Sequence, residues 1–428
     1  MAAQPKIVVT GAGALCAAGK QPAQIWEAVR AARSALSPIR QWDTTGWPRR
    51  MGGEIVDLDP VALLKDRKIQ KFIRRSDVFG LYTADQAIEA SGIIAYRDTL
   101  GEAAAAAFSD RTGVYAGSGG GTYQSQYDYF PLLTEAGGDL HKFGAQLSDT
   151  VNPMWLLQTL PNNVLGHVGI RHGLKGPNAC ITNHSVSGML AVVEAMEALR
   201  HGEADRAVAV GHDSPIEPQT ILYCHRVGLL AEDTIRSFDA RRDGSVFGEG
   251  AAALVLETEA SAASRGAQVL GEALGSSCTD DAQGLFAVRE DGSGLAEAIR
   301  GALQDARLRP ADVGMIVAHA NGTRQSDASE AAALLAVFGS DAPPVTGFKW
   351  AFGHLIAAAG IIETVQALWA LRERTVPGIA TLRELDPAFS RLPASAAPRA
   401  PRSDVALVLS RGFGGTNAAL LVRAAAAG

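Results

Sequence analysis

Short β-branched runs alternate with longer amphipathic stretches along this chain, a pattern that predicts strands and helices in turn. Lys6 to Thr10 reads as a strand ending at Gly11-Ala12-Gly13, and the apolar-periodic run from Pro22 to Ala32 as a helix. The two glycines read as a tight strand-to-helix turn and not as a dinucleotide site. The third glycine is missing at the required spacing, and no acidic residue follows a second strand. Residues 60 to 95 are mostly helical in pattern. Arg111 to Gly121 is a strand ending in glycines, and Thr122 to Phe130 a polar, aromatic loop. Residues 136 to 172 mix short helices and turns, because Pro153 and Pro161 interrupt any long helix. Gly176 to Gly188 predicts a strand, a sharp turn and a helix running to about Arg200. Ala204 to Gly211 is a buried type of strand. Phe238 to Gly250 is a loop rich in glycine and charge that feeds the strand Ala251 to Glu257.

The second half repeats the layout. Val313 to Ala320 is a strand ending at Asn321-Gly322-Thr323, Gly353 to Leu371 a helix after a turn, and Val405 to Ser410 and Asn417 to Arg423 are strands around GFGG. AAALVLE in the first half echoes AALLVRA in the second. Two copies of a strand–helix–strand unit imply duplication, with units at 1–257 and 258–428 and an α/β layered fold. Loops at the strand ends of both units would then converge on one site.

Composition narrows the function classes. The 428 residues are 47% hydrophobic, enough for a sizeable core, and 39 basic against 45 acidic residues give a net charge of -6. That balance gives no general reason to expect nucleic acid. The four cysteines, Cys16, Cys180, Cys224 and Cys278, form no CxxC pair, so a reducing cytoplasm is expected over a disulfide framework. No apolar signal core or run of membrane-helix length is visible, and no metal motif stands out. One basic cluster, Lys65 to Arg75, stands against the acidic whole: a solvated helix face, or a docking patch for an acidic partner.

Ser185 falls at the predicted turn, where a nucleophile would stand at a helix N-terminus. The surrounding motifs are VVTGAGAL, GPN, FDARRDGSVFGEGAAALVLE, ANGT, GFKWAFGHLIAAAGIIE and GFGGTNAALLV. On these the chain resembles the β-ketoacyl-acyl-carrier-protein synthases, over nearly its whole length. The resemblance implies a thiolase-like fold of two duplicated α/β halves in α-β-α-β-α layers. It also implies an acyl carrier protein whose 4'-phosphopantetheine arm delivers substrate, with no other cofactor. In that family a cysteine takes the acyl chain, and two histidines promote decarboxylation of malonyl and stabilise the enolate.

Carried onto this chain, the family's cysteine position, nine after the glycine of the GP motif, is Ser185. Its first histidine is Asn321, with His319 two residues upstream as a conceivable substitute on the same strand face. Asp327 and Glu330 match an acidic pair after a shortened loop, in which Gln325 is nearest to the family's second threonine. Lys349, His354 and Glu363 match the family's lysine, second histidine and glutamate. Phe413 matches a gating aromatic whose backbone N–H completes an oxyanion hole with that of Ser185. Lys65, Lys68 and Arg226 match positions that dock the carrier protein. Arg411 replaces an aromatic residue, which would alter the pocket's polarity or reach across a subunit interface. Cys180 lies five residues too early to be the nucleophile and reads as a small buried residue. His184, in place of a small residue, reads as a plug.

A serine hydroxyl is not ionised by a helix dipole as a thiol is, and it needs a positioned base. Losing one imidazole removes an enolate donor, an effect of about 10²–10³ in rate. The expectation is therefore a non-condensing, chain-length-factor-like subunit paired with a complete ketosynthase. The alternatives are an acyltransferase or hydrolase acting on acyl-carrier-protein thioesters through Ser185 with His354 as base, a weak condensing enzyme, or a malonyl decarboxylase; a homodimer is the alternative to the heterodimer.

Overall fold

Ten strands form one mixed sheet in a computed structural model that describes residues 4–120, 129–150 and 154–425. The first half supplies β1 (Ile7–Cys16), β2 (Thr112–Ser118), β3 (Asn178–Ile181), β4 (Arg206–Asp213) and β5 (Gly250–Thr258). The second supplies β6 (Gly271–Asp280), β7 (Met315–Val317), β8 (Val345–Thr346), β9 (Val405–Arg411) and β10 (Thr416–Ala424). Their order across the sheet is β8-β7-β9-β10-β6-β1-β5-β4-β2-β3. Each half uses the same order and the same senses. In the first, β2 pairs parallel with β3 and β4, and β5 pairs antiparallel with β4 and β1. In the second, β7 pairs parallel with β8 and β9, and β10 pairs antiparallel with β9 and β6. The halves join where β1 meets β6 antiparallel, from Ile7 opposite Ala273 to Val9 opposite Gly271.

Helices complete the layers. α1 (Arg75–Ser91) packs on β1, β4 and β5, and α2 (Ser187–Arg200) packs on β2 and β4. α3 (Ser293–Ala306), beside α4 (Arg324–Phe338), packs on β6 and β10. α5 (Ala359–Arg372) packs on β9 and β10 and directly against α2. The α-β-α-β-α arrangement follows, with α2 and α5 as the middle layer. α5 is buried nearly all round, as befits a mostly apolar helix held between the two halves of the sheet. Each wholly buried Leu or Ile, such as Leu254 or Ile361, contributes about 1.5–3 kcal/mol.

Two local expectations change. Gly11 and Gly13 are not in a turn, because β1 runs straight through them. A Cβ at either would lie 2.1 Å from a carbonyl of α1, that of Ala87 or Thr83, so the glycines let helix and strand touch. β7 is shorter than the Val313 to Ala320 run predicts, because the backbone turns at Ala320 (φ 47°) and Gly322 (φ 81°). The loop predicted from Thr122 lies outside the described residues as far as 128, and Phe130 opens a short helix, Phe130–Glu135.

Candidate active site

The chain leaves β3, turns through His184–Val186 and enters α2. His184 takes the left-handed region (φ 46°), which is strained for a side chain bearing a Cβ. Three hydrogen bonds fix the turn: Asn183 N–H to Ser187 Oγ at 2.8 Å, Ser187 Oγ to the His184 carbonyl at 2.7 Å, and Ser410 Oγ to the Ser185 carbonyl at 3.0 Å. Ser185 is buried, with Oγ 3.0 Å from His184 Nδ1 and 3.4 Å from His354 Nε2. His184 therefore does more than fill space. Its folded-back ring touches the hydroxyl and stacks on Phe413 at 4.3 Å.

The proton on His354 is fixed by its other nitrogen. Nδ1 accepts the Ile356 N–H at 3.2 Å, so the neutral ring carries its hydrogen on Nε2. Burial, then the Lys349 charge and then His184, holds this imidazole well below its ordinary range and keeps it neutral. His354 thus presents an N–H to Ser185 and donates, which is the opposite of the base expected for a serine nucleophile. The second imidazole beside Ser185 is that of His184, whose pKa burial pushes down to about 4.

Asn321 is held by its own loop. Its Oδ1 accepts the Thr323 N–H at 3.0 Å and the Thr323 hydroxyl at 2.8 Å, which turns Nδ2 toward His319 Nε2 at 3.3 Å. The two side chains meet as expected, although neither lies on a strand. His319 Nδ1 accepts the Arg411 N–H at 3.2 Å, so its proton also sits on Nε2. Two donors therefore face one another, an arrangement relieved by an acceptor oxygen. The His319 ring packs edge-on against His354, with centroids 5.1 Å apart. Glu330 accepts the N–H groups of His319 and Ala320, and Asp327 those of Gly322 and Phe238. The acidic pair thus clamps the loop. Burial raises both carboxyls, Asp327 to about 7. Gln325 has no part in this clamp.

Lys349 Nζ donates to Glu363 Oε1 at 2.7 Å and to the His319 carbonyl at 2.5 Å, all of it buried. Burial raises Glu363 to about 7 against the pull of Lys349. Arg411 neither enters the pocket nor leaves the chain. Its buried guanidinium reaches Asn417 at 2.8 Å, the Ser326 carbonyl at 3.1 Å and Asp281 at 3.2 Å. The Cys180 thiol donates to the Pro161 carbonyl, and burial raises its pKa. The Gly412–Phe413 turn lies alongside Ser185: a Cβ on Gly412 would be 3.7 Å from the Ser185 nitrogen. Lys65, Lys68 and Arg226 are all exposed.

A cavity of about 770 Å³ opens beside the turn. An aromatic series borders it: His184 on Phe413, Phe413 edge-on to Phe286 at 5.0 Å, and Phe286 near Tyr223 at 6.2 Å. Farther polar groups include Asp77, His212, Asp213 and Glu217. No sequence motif marks these residues. The signal was there in the apolar strand AVAVGHD, whose last two residues are charged or titratable. Among the described residues, no His, Cys, Asp and Glu cluster is placed to hold a metal ion, and no helix is long and apolar enough to cross a membrane.

Residues 4–262 match the N-terminal domain, and residues 270–383 the C-terminal domain, of beta-ketoacyl synthases. The 3-oxoacyl-[acyl-carrier-protein] synthase 2 of Coxiella burnetii is 30% identical over 97% of this chain and 98% of its own. A putative polyketide beta-ketoacyl synthase 1 of Streptomyces cyaneus is 33% identical over 97% of each. Among solved structures, the ishigamide ketosynthase/chain length factor superposes with a TM-score of 0.87 at 26% identity, over 99% of this chain and 100% of that one. A beta-ketoacyl synthase from Burkholderia phymatum STM815 gives 0.85 at 25% identity, over 98% and 100%. Matched in both halves and over 97% of its length, the chain belongs to the β-ketoacyl synthase family.

Proposed function

We propose that this chain is a non-condensing subunit of fatty-acid or polyketide synthesis, similar to a chain-length factor, that pairs in the cytoplasm with a catalytically complete ketosynthase. The observation that carries this reading is the state of Ser185. Its hydroxyl sits between two imidazoles, one of which donates while the other is pushed down to about 4. Among the described residues no strong base reaches it, and an oxygen ester formed there would be a poorer acyl donor to a carbanion than a thioester. Asn321, committed to Thr323, supplies an amide in place of the missing imidazole. The likeness to a ketosynthase/chain length factor structure supports the same reading. An acyl carrier protein is the further partner, with its 4'-phosphopantetheine arm as the substrate carrier. Lys65, Lys68 and Arg226 are its docking points; Arg226 ends the helix Pro218–Arg226, whose Tyr223 lines the cavity.

Co-expression with a ketosynthase that retains cysteine and both histidines tests the assignment. A stable heterodimer is expected by light scattering, with no elongation by the isolated chain. A homodimer that ignores the ketosynthase would reject it. A second reading, acyl transfer through Ser185, is favoured only by the 3.0 Å contact with His184, which supplies a weak base. It requires one acyl mass added to the intact protein by acyl-carrier protein and lost in Ser185→Ala; absence of the adduct excludes it.

A further inference from the structure

β4 and β9 occupy equivalent places in the two halves, each parallel to one neighbour and antiparallel to the other. Their ends reach toward the turn of the opposite half, and the equivalence holds residue by residue. A Cβ on Gly188 would be 3.2 Å from the Gly211 Cα on β4, and one on Gly360 would be 3.3 Å from the Ser410 Cβ on β9. Two residues beyond these stand Asp213 and Gly412. Gly412 brings no side chain to the first turn, and a Cβ on it would be 3.7 Å from the Ser185 nitrogen. Asp213 does bring one to the second turn. Its Oδ2 accepts the N–H of Ala357, the residue equivalent to Ser185, at 3.2 Å. The nitrogen that meets a bare glycine in one turn is therefore held by a carboxyl in the other.

That carboxyl is built into its place. Oδ1 accepts the Ser214 N–H at 2.8 Å, and the Ser214 hydroxyl donates at 2.7 Å to Glu249, which is itself paired with Arg75. Gly119, just past β2, makes room: a Cβ there would lie 2.1 Å from Asp213 Oδ2. Ile356, directly before Ala357, is left-handed (φ 45°), a strained state for a β-branched residue. Its N–H is the group that occupies His354 Nδ1. Such a bend persists only where the surroundings over-determine it, and a hydrogen bond to a carboxylate is among the stronger restraints available. We infer that Asp213 is a positioning residue for His354: by holding the Ala357 N–H it fixes the bend, keeps the Ile356 N–H on Nδ1, and so leaves the proton on Nε2, the atom that faces Ser185. Control of the His354 proton then belongs to the other half of the molecule. The inference rests on His354 being the donor used in the proposed function, and not on the pairing of subunits.

Heteronuclear NMR of the full chain, isotope-labelled at histidine, reads the proton directly, and His354→Gln assigns the ring. Burial raises the Asp213 carboxyl to about 7, so spectra are recorded above that pH, where it is charged. The wild type should show one neutral tautomer of His354, protonated on Nε2. Asp213→Ala should lower the ratio of Nε2–H to Nδ1–H about tenfold, and formate, a small carboxylate, should restore it. Asp213→Asn, which keeps an acceptor oxygen, should retain most of it. Gly119→Ala leaves the carboxyl in the chain but fills its place, so it should reproduce the loss without rescue by formate. Far-ultraviolet circular dichroism and Tm establish that the variants are folded; should Asp213→Ala not fold, Gly119→Ala decides the question. An unchanged tautomer in folded Asp213→Ala or Gly119→Ala overturns the inference and leaves the proposed function standing. A wild-type ring protonated on Nδ1 overturns the inference together with the donor that the proposed function uses.

Discussion

The duplication places two equivalent turns face to face at the centre of the molecule. In the first, β3 leads through His184–Val186 into α2; in the second, β8 leads through Lys349–Phe352 and Ile356–Ala358 into α5. His184 and Ile356 stand at matching positions and share the same strained backbone, φ 46° and 45°. Gly188 and Gly360, each the second residue of its helix, let the two units touch: a Cβ on Gly188 would lie 2.4 Å from the Ala357 carbonyl, and one on Gly360 2.9 Å from Met189 Cβ. Yet the residue after the strained one is Ser185 in the first turn and Ala357 in the second. The strained bend is thus a requirement of packing two halves together, and it says nothing by itself about catalysis. What differs is the chemistry hung on each turn: a hydroxyl and a stacked imidazole on one, and His354 with the buried Lys349–Glu363 pair around the other.

If the second turn is held by that pair, Lys349→Met should be the most damaging change. It leaves the Glu363 carboxyl buried without its cation and should cost about 3–5 kcal/mol in urea unfolding. The double change Lys349→Met with Glu363→Leu should recover most of the loss; a single-variant cost below 1 kcal/mol would mean that the pair does not distinguish the turns. The first turn is probed by restoring its chemistry. Ser185→Cys together with Asn321→His should raise condensation by isolated chain or heterodimer about 10²–10³-fold over Ser185→Cys alone, read as product from malonyl-carrier protein. A flat response would place the missing function outside the two substituted positions.

His184 gives a pH signature that Ile356 cannot. Its folded pKa of about 4 lies below the ordinary 6.5, so between these values the unfolded chain binds the extra proton. Falling pH therefore weakens the folded state, by up to about 3 kcal/mol below pH 4. His184→Phe should narrow the stability gap to wild type, or reverse it, by that amount between pH 7 and pH 4; parallel pH curves would remove His184 from the account. The smallest effect is expected at the shared contact. Gly188→Ala and Gly360→Ala should each cost about 1–3 kcal/mol in thermal unfolding, with Gly188 the worse because it meets backbone and not a side chain. Equal tolerance at both would mean the turns are not pressed together.

What the sequence discloses follows the range of the interaction. The duplication was legible because strands such as VGMIV and AAALVLE carry their burial in consecutive residues, and the nucleophile turn because its motif is local. The role of Gly11 and Gly13 was not legible, because their need for a bare Cα is set by Thr83 and Ala87 on another element. Arg411 was likewise opaque: its direction is decided by Asp281, far away in sequence. The direction in which His354 donates depends on an Ile356 N–H that only the folded turn supplies. His184 reads as a plug from the sequence, but its contact with Ser185 needs a left-handed backbone that a histidine does not announce.

The middle layer has a consequence for synthesis. The five strands that the first half gives to the ten-stranded sheet, and α1 on their outer face, lie within residues 7–258, so that half can assemble its part of the sheet as soon as it leaves the ribosome. The apolar face of α2 that meets α5 stays uncovered until residues 359–372 emerge, about a hundred residues later. During that interval the nascent chain displays a sticky, half-finished core, and it is there that a chaperone would engage it or two nascent copies would aggregate.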